Sequence, residues 1–143
     1  MSQFSQHSDE EIARAWIRRY SKARTRILLV DTADPQLRDE KRIEEETWWA
    51  FEEIEGLVAN EPSRAWTVIL YILELGQKDE NVLDNLAAGP LETLLVRHGR
   101  DSIDRVENEA QSDPRFKDLL LGVWGNAVDA TVWERLEALF AAE

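Results

Sequence analysis

Four ionisable residues in the middle of the chain have the types needed for acid-base or metal chemistry. Glu92, His98, Asp104 and Glu107 combine three carboxylates with an imidazole, the groups that act as general acids and bases or bind divalent metals. Glu92 and His98 lie six positions apart, about 600° of rotation on one helix, so a neighbouring helix would have to complete a site. A pocket around Glu92, His98 and Glu107 would make the protein a small enzyme or a ligand-binding protein.

The same residues also have structural interpretations. Glu92 would be the third residue of a helix opened by Pro90, where its carboxylate can bond back to a backbone N–H at the helix start. His98 would lie in the last turn of that helix, before Gly99, as a cap or in a buried polar contact. The chain has two His and no Cys, and no motif of a zinc protease, P-loop, dinucleotide site or serine hydrolase. We therefore expect no cofactor and no metal, and we favour a non-catalytic function.

The elements that must position these residues all have the periodicity of helices. Apolar residues recur at three- and four-residue spacing, and no alternating strand pattern with hairpin turns appears. Ser8 followed by Glu11 is a capping box, and the apolar residues after it predict a long first helix that reaches Ile27. Because proline fits the first turn of a helix, all four prolines are interpreted as helix starts: Pro35, Pro62, Pro90 and Pro114.

Glycine and aspartate set the remaining boundaries. Gly76, Gly89 and Gly99 are predicted to end helices, and Asp129 to cap the last one. The prediction is an all-α fold, an irregular antiparallel bundle of about eight helices that is partly solenoid-like. Its length of 143 residues fits a single helical domain over 1–143. Within it we distinguish a basic N-terminal helix, 1–34, and an acidic helical body, 35–143.

Charge is distributed unevenly along the chain. The sequence holds 29 acidic residues against 17 Lys and Arg, a net charge of -12, which argues against direct binding to nucleic acid or to an anionic membrane. Residues 12–30 hold six bases and no acid, whereas residues 31–143 hold 26 acids and 11 bases. The acidic N-terminus and a longest apolar run of six residues, Val68 to Leu73, predict neither a signal peptide nor a membrane span. We expect a cytoplasmic protein.

The predicted helix that follows Pro35 is the candidate binding element. Trp48 and Trp49 are about 100° apart on a helix, so one can face the core while the other lies near its edge. Trp is frequent in binding hot spots. The residues predicted to contact a basic protein partner are Glu44, Glu45, Glu46, Trp49, Glu52 and Glu53.

Two other interpretations of the same charges stay open. The acids can form a solvated face, or they can pair with the basic stripe Arg14, Arg18, Lys22 and Arg26 as a folding device. Three further tryptophans, Trp66, Trp124 and Trp133, fit apolar faces and are assigned to the core.

The middle of the chain carries a recognisable motif. The run Ala87-Ala88-Gly89-Pro90-Leu91-Glu92, then His98-Gly99 and Gly122-Val123-Trp124, resembles a family of small bacterial helical proteins catalogued as a domain of unknown function. The resemblance covers roughly Thr47 to Trp133. It implies a helical fold and a bacterial origin, and it assigns no catalytic residue.

Two functional hypotheses follow. The first is a non-catalytic acidic protein that binds a basic bacterial partner, with the small, acidic, helical profile of immunity proteins and antitoxins. The second is the enzyme or ligand-binding protein with the pocket described above. A convex acidic surface beside an exposed Trp would favour the first, and a cleft that joins Glu92, His98 and Glu107 would favour the second.

Overall fold

The computed structural model describes residues 7–21 and 35–141, and within these ranges the protein is all-α with no strand, as predicted. The helices, in chain order, are α1 (Asp9–Tyr20), α2 (Pro35–Asn60), α3 (Pro62–Gly76), α4 (Glu80–Leu86), a π-helical turn (Ala87–Leu91), α5 (Glu92–Ser112), α6 (Pro114–Leu120) and α7 (Ala130–Ala141). The helix α4, the π-turn and α5 follow one another without a break. The described residues therefore contain six separate helical segments, where the sequence predicted about eight.

Three of the four prolines begin helices as predicted, but the prediction for Pro90 was wrong. Pro35, Pro62 and Pro114 are the first residues of α2, α3 and α6. Pro90 instead lies inside the π-turn. The N–H of Glu92 donates to the carbonyl of Ala87, five residues earlier, and this wider register accommodates a residue without an N–H. For the same reason Gly89 does not end a helix.

Gly99 was also wrongly predicted as a helix end. The chain leaves helical geometry at His98 (φ -131°, ψ 27°) and then continues as α5 to Ser112. Gly99 is buried against α7, where a Cβ on it would lie 3.2 Å from Cγ2 of Val132. This glycine therefore serves close helix packing.

The first helix starts as predicted and is shorter than predicted. Oγ of Ser8 accepts from the N–H of Glu11 (3.1 Å), and the N–H of Ser8 donates to Oε1 of Glu11 (3.0 Å), which completes the capping box. The helix ends at Tyr20 because Ser21 is extended (φ -65°, ψ 149°). The carbonyl of Tyr20 accepts from Nδ2 of Asn81 (3.2 Å), so it needs no further helical turn. The predicted continuation to Ile27 lies outside the described residues.

The last helix is capped as predicted. Oδ1 of Asp129 accepts from the N–H of Thr131 at 2.9 Å, at the start of α7. One cluster of buried apolar side chains runs through both described ranges, from Ile12 in α1 to Leu136 in α7. Helix α1 packs on α2 and α3, and α5 packs on α6 and α7. None of the described helices is both long enough and apolar enough to cross a membrane.

Candidate functional site

The predicted partner-binding residues on α2 divide into two groups. Glu44 and Glu46 face the basic residues of α1. Nη2 of Arg19 lies 2.7 Å from Oε1 of Glu44, and Nη1 of Arg18 lies 2.9 Å from Oε2 of Glu46. The internal pairing that the sequence left open is therefore present for Arg18 of the basic stripe, and Arg19, which lies outside that stripe, pairs with Glu44.

Arg19 is the unusual member of these pairs because it is only 7% exposed. Its Nη1 also donates to the carbonyl of Glu44 (3.2 Å). Burial is the largest single effect and lowers the pKa of Arg19, but the hydrogen bonds and charge interactions with Glu44 and Tyr20 together outweigh it, and the pKa is raised above its usual value. Glu44 thus stabilises a buried cation and belongs to the scaffold. Of the rest of the predicted basic stripe, Arg14 pairs with Glu10 (3.1 Å), and Lys22 and Arg26 lie outside the described residues.

The second group consists of three acids that differ in exposure. Glu45 and Glu52 are exposed and Glu53 is half-buried. Trp49, the predicted anchor, is half-buried and stacks on the ring of His7, with centroids 3.9 Å apart. Its neighbour Trp48 is the more exposed of the two, at 44%.

Four exposed residues of α2 line up on one side of the helix, which the exposed Lys41 also shares. We define the α2 acidic stripe as Glu45, Trp48, Glu52 and Glu55, all exposed. Their spacings of three, four and three residues keep them within a sector of about 80° around the helix axis. The stripe therefore presents three carboxylates along one line with an aromatic ring between them.

Two neighbouring side chains contact the ring of Trp48 and hold it in place. It stacks on Phe51, with centroids 4.9 Å apart, and the guanidinium carbon of Arg19 lies 5.0 Å from its centroid. A guanidinium within about 6 Å of an indole ring is in the range of cation–π attraction. The buried arginine that binds Glu44 thus also supports the exposed Trp.

The alternative pocket residues have contacts that lead to different elements. Asp104 and Glu107 both bind Arg135 of α7, with Nη2 2.7 Å from Oδ1 of Asp104 and Nε 2.9 Å from Oε2 of Glu107. Nη2 also bonds Oε1 of Glu107, and these carboxylates, Glu107 before Asp104, raise the pKa of Arg135 above its usual value. Nε2 of His98 lies 2.7 Å from the carbonyl of Val58 in α2, a partly buried polar contact rather than the fully buried one considered from the sequence.

Glu92 does not bond back to its own helix start, so that interpretation was wrong. Its Oε1 accepts from the backbone N–H of Trp124 (2.9 Å), in the loop between α6 and α7. The reason is that Glu92 follows a π-turn inside a continuous helical run, so no free N–H groups of a helix start lie behind it. Among the described residues, no group of three or more His, Asp and Glu side chains is arranged to hold a metal ion.

Sequence reasoning missed an exposed apolar loop. Trp124 was assigned to the core, but it is 69% exposed, and Leu121 is 62% exposed. Helix α6 ends at Leu120, so the apolar periodicity that continues to Trp124 no longer describes a helical face. Trp66 is buried and Trp133 packs half-buried against the core, as predicted.

A family model matches residues 37–143, and it describes a family of unknown function, DUF6869. The chain belongs to this family. The match begins inside α2, so α1 with Arg18 and Arg19 lies outside the part that defines DUF6869. The prediction that the chain belongs to a family of unknown function is thereby confirmed, while the specific motif and the bacterial origin stay predictions. No curated protein and no solved structure matches the chain.

Proposed function

We propose that this protein is a non-catalytic binding protein that docks on the basic surface of a protein partner through the α2 acidic stripe. The observation that carries the proposal is the stripe itself. Glu45, Glu52 and Glu55 flank the exposed ring of Trp48 on one side of one helix. Carboxylates around an aromatic anchor suit a cationic partner, because the charges speed encounter and the ring supplies buried area.

The internal ion pairs support the distinction between the paired acids and the exposed acids of α2. Glu44 and Glu46 neutralise Arg19 and Arg18 of α1, so these two cations do not offset the negative charge of the exposed stripe. Support from Phe51 and Arg19 holds the ring of Trp48 in position before binding. A group that is already ordered loses less conformational entropy when a partner covers it.

The kind of partner is proposed by analogy. Immunity proteins and antitoxins are small proteins that occupy their toxins, and a net charge of -12 on a small helical protein fits a basic bacterial target in the cytoplasm. The competing proposal is an enzyme or ligand-binding pocket around Glu92, His98 and Glu107. The structural partners of these three side chains, the Trp124 amide, the Val58 carbonyl and Arg135, favour the binding protein.

A comparative capture experiment tests the proposal. The immobilised wild-type protein, the variant Glu45→Lys/Glu52→Lys and the variant Glu134→Lys/Glu137→Lys are exposed to proteins of the native host, and bound proteins are identified by mass spectrometry. Both variants change the net charge equally, and all four substituted residues are exposed. We expect a basic protein that binds the wild type and the α7 variant but not the α2 variant. Equal capture by all three proteins would contradict the proposal.

A further inference from the structure

A groove of about 350 Å³ lies between α4 and α6, and it shares no residue with the α2 acidic stripe. Apolar side chains form its floor and exposed carboxylates form its rim. The floor residues are Leu83, Ala87 and Leu119, and the rim residues are Glu80, Asp84 and Asp118. A volume of this size lies within the range of about 300–1,000 Å³ that is common for ligand pockets.

The cation that lines the groove, Arg115, is already matched by carboxylates. Its Nη2 lies 2.9 Å from Oδ2 of Asp113, and its Nη1 lies 2.9 Å from Oε2 of Glu74. The charge of Arg115 is therefore neutralised by carboxylates of the protein itself. The three rim carboxylates remain to give the groove a negative potential.

Next to the groove stand the two most exposed large apolar side chains of the described residues. Leu121, which lines the groove, is 62% exposed, and Trp124 is 69% exposed. Their Cα atoms are at most about 11 Å apart, since the two residues are three positions apart along the chain. Exposed Leu and Trp side chains this close together are typical of a surface that a partner covers.

The loop that carries them is firmly attached to the rest of the protein. Glu92 binds the amide of Trp124 (2.9 Å), and Val123 between the two exposed residues is only 5% exposed. Gly122 packs so closely on the π-turn that a Cβ on it would lie 2.9 Å from Cβ of Ala87. The backbone that carries Leu121 and Trp124 is therefore held in position, which lowers the backbone entropy lost on binding.

We propose that this groove, together with Leu121 and Trp124, is a docking site for a basic amphipathic peptide segment. An apolar side chain of the segment enters the groove, and its Lys or Arg residues meet Glu80, Asp84 and Asp118. Charge decides the choice of occupant. A second copy of this acidic chain would bring like charges together, and a wholly apolar partner would bury the rim carboxylates without a counter-charge. The site rests on different residues from the α2 acidic stripe and stands independently of it.

The test uses the full chain and a fluorescein-labelled amphipathic peptide of Leu and Lys at helical spacing, followed by fluorescence anisotropy. Two variants address the site: Leu121→Ser/Trp124→Ser removes the apolar anchors, and Asp84→Lys/Asp118→Lys reverses the rim. All four side chains are exposed, so we expect both variants to fold, which circular dichroism checks. Each should raise the Kd for the peptide about tenfold or more, and the rim variant should also flatten its salt dependence.

Matched controls separate this site from the rest of the surface. Glu134→Lys/Glu137→Lys makes the same change in net charge as the rim variant and should shift the Kd less than about threefold. Glu45→Lys/Glu52→Lys should do the same. Peptide binding that falls only in the α2 variant would overturn this inference and leave the proposed function standing. An equal loss of peptide affinity in the α7 variant and the rim variant would show that the peptide responds only to net charge, and this would also overturn the inference. So would a self-associating wild type that Leu121→Ser/Trp124→Ser makes monomeric while peptide binding stays unchanged.

Discussion

A substitution at Glu44 tests directly whether this acid of α2 stabilises the fold. Replacing it with glutamine keeps the size and removes the charge that faces Arg19. Because Arg19 is 7% exposed, the substitution leaves a guanidinium largely out of water with a weaker acceptor. Glu45→Gln is the matched control, since it makes the same change at the next position, where the side chain is exposed.

The expected magnitude follows from burial on the two sides of the pair. Removing one partner of a fully buried ion pair destabilises a protein by roughly 3–5 kcal/mol, and an exposed pair contributes roughly 0–1 kcal/mol. Here the Arg19 side chain is 8% exposed and the Glu44 side chain 43%, so the pair lies between these limits. We expect Glu44→Gln to lower the free energy of unfolding by about 1–3 kcal/mol and Glu45→Gln to change it by less than about 0.5 kcal/mol.

Urea unfolding followed by far-UV circular dichroism measures both values. A double-mutant cycle with Arg19→Met then isolates the pair, because methionine fills much of the arginine volume without the charge. The loss in Glu44→Gln/Arg19→Met should be smaller than the sum of the two single losses by about 1 kcal/mol or more. Equal stability of Glu44→Gln and Glu45→Gln, or additive single effects, would refute the reasoning and return Glu44 to the predicted binding surface.

Two further predictions concern a helical glycine and a helix cap. Gly76→Ala should destabilise the protein by roughly 1–3 kcal/mol, because its Cβ would lie 2.7 Å from Cγ1 of buried Val82. Gly56→Ala has nothing within 4 Å of its Cβ, so it should stabilise the protein by roughly 0.5–1 kcal/mol in the same urea experiment. Destabilisation of equal size in both variants would contradict this prediction. Asp113 caps α6, and its side-chain hydrogen bond with Arg115 lowers its pKa, so the charge stabilises the fold above the unfolded value of about 3.9 and stops doing so as the pH falls through the lower folded value. Asp113→Asn keeps the cap, so its deficit of at most about 1 kcal/mol at pH 7 should shrink towards zero in an acid unfolding series as the pH falls below the unfolded value of about 3.9 and through the lower folded one. A deficit that is constant with pH would count against the ion pair.

Local chemistry made several boundaries predictable. The capping box at Ser8, the cap at Asp129 and the starts at Pro35, Pro62 and Pro114 depend on residues within a few positions of each other. Hydrogen bonds of this short range, and the fit of proline to a first helical turn, depend little on the tertiary context. The sequence therefore contains enough information to predict them.

Tertiary packing decided the boundaries that were wrong. Whether Pro90 starts a helix or lies in a π-turn depends on whether Leu86 and Leu91, both fully buried, stay in one continuous segment. Gly76 does end α3 as predicted. It is not there to adopt a left-handed backbone conformation, because no described glycine has a positive φ. Its small size is needed for contact with Val82 of α4, a residue that the local sequence cannot place.

The same distinction applies to the candidate site. The three-, four- and three-residue spacing of Glu45, Trp48, Glu52 and Glu55 is present in the sequence, and helical periodicity is enough to put these residues on one side of α2. The division between free and paired acids is absent from it, because it depends on how α1 packs on α2. That is why the consecutive run Glu44 to Glu46 was predicted as a single binding surface.

The two accounts of the charge polarity, folding device and docking surface, are therefore compatible. Helix α1 brings Arg18 and Arg19 against α2, where they pair with Glu46 and Glu44. This pairing neutralises two cations that would otherwise weaken the field of the exposed stripe, and the buried guanidinium of Arg19 also supports Trp48. A variant that disrupts the Arg19–Glu44 pair should therefore affect partner binding indirectly, through the position of Trp48, whereas Glu45→Lys/Glu52→Lys should affect it through charge alone. The two effects differ in kinetics: loss of the Trp48 anchor should raise the dissociation rate, and reversal of the stripe should lower the association rate and its salt dependence.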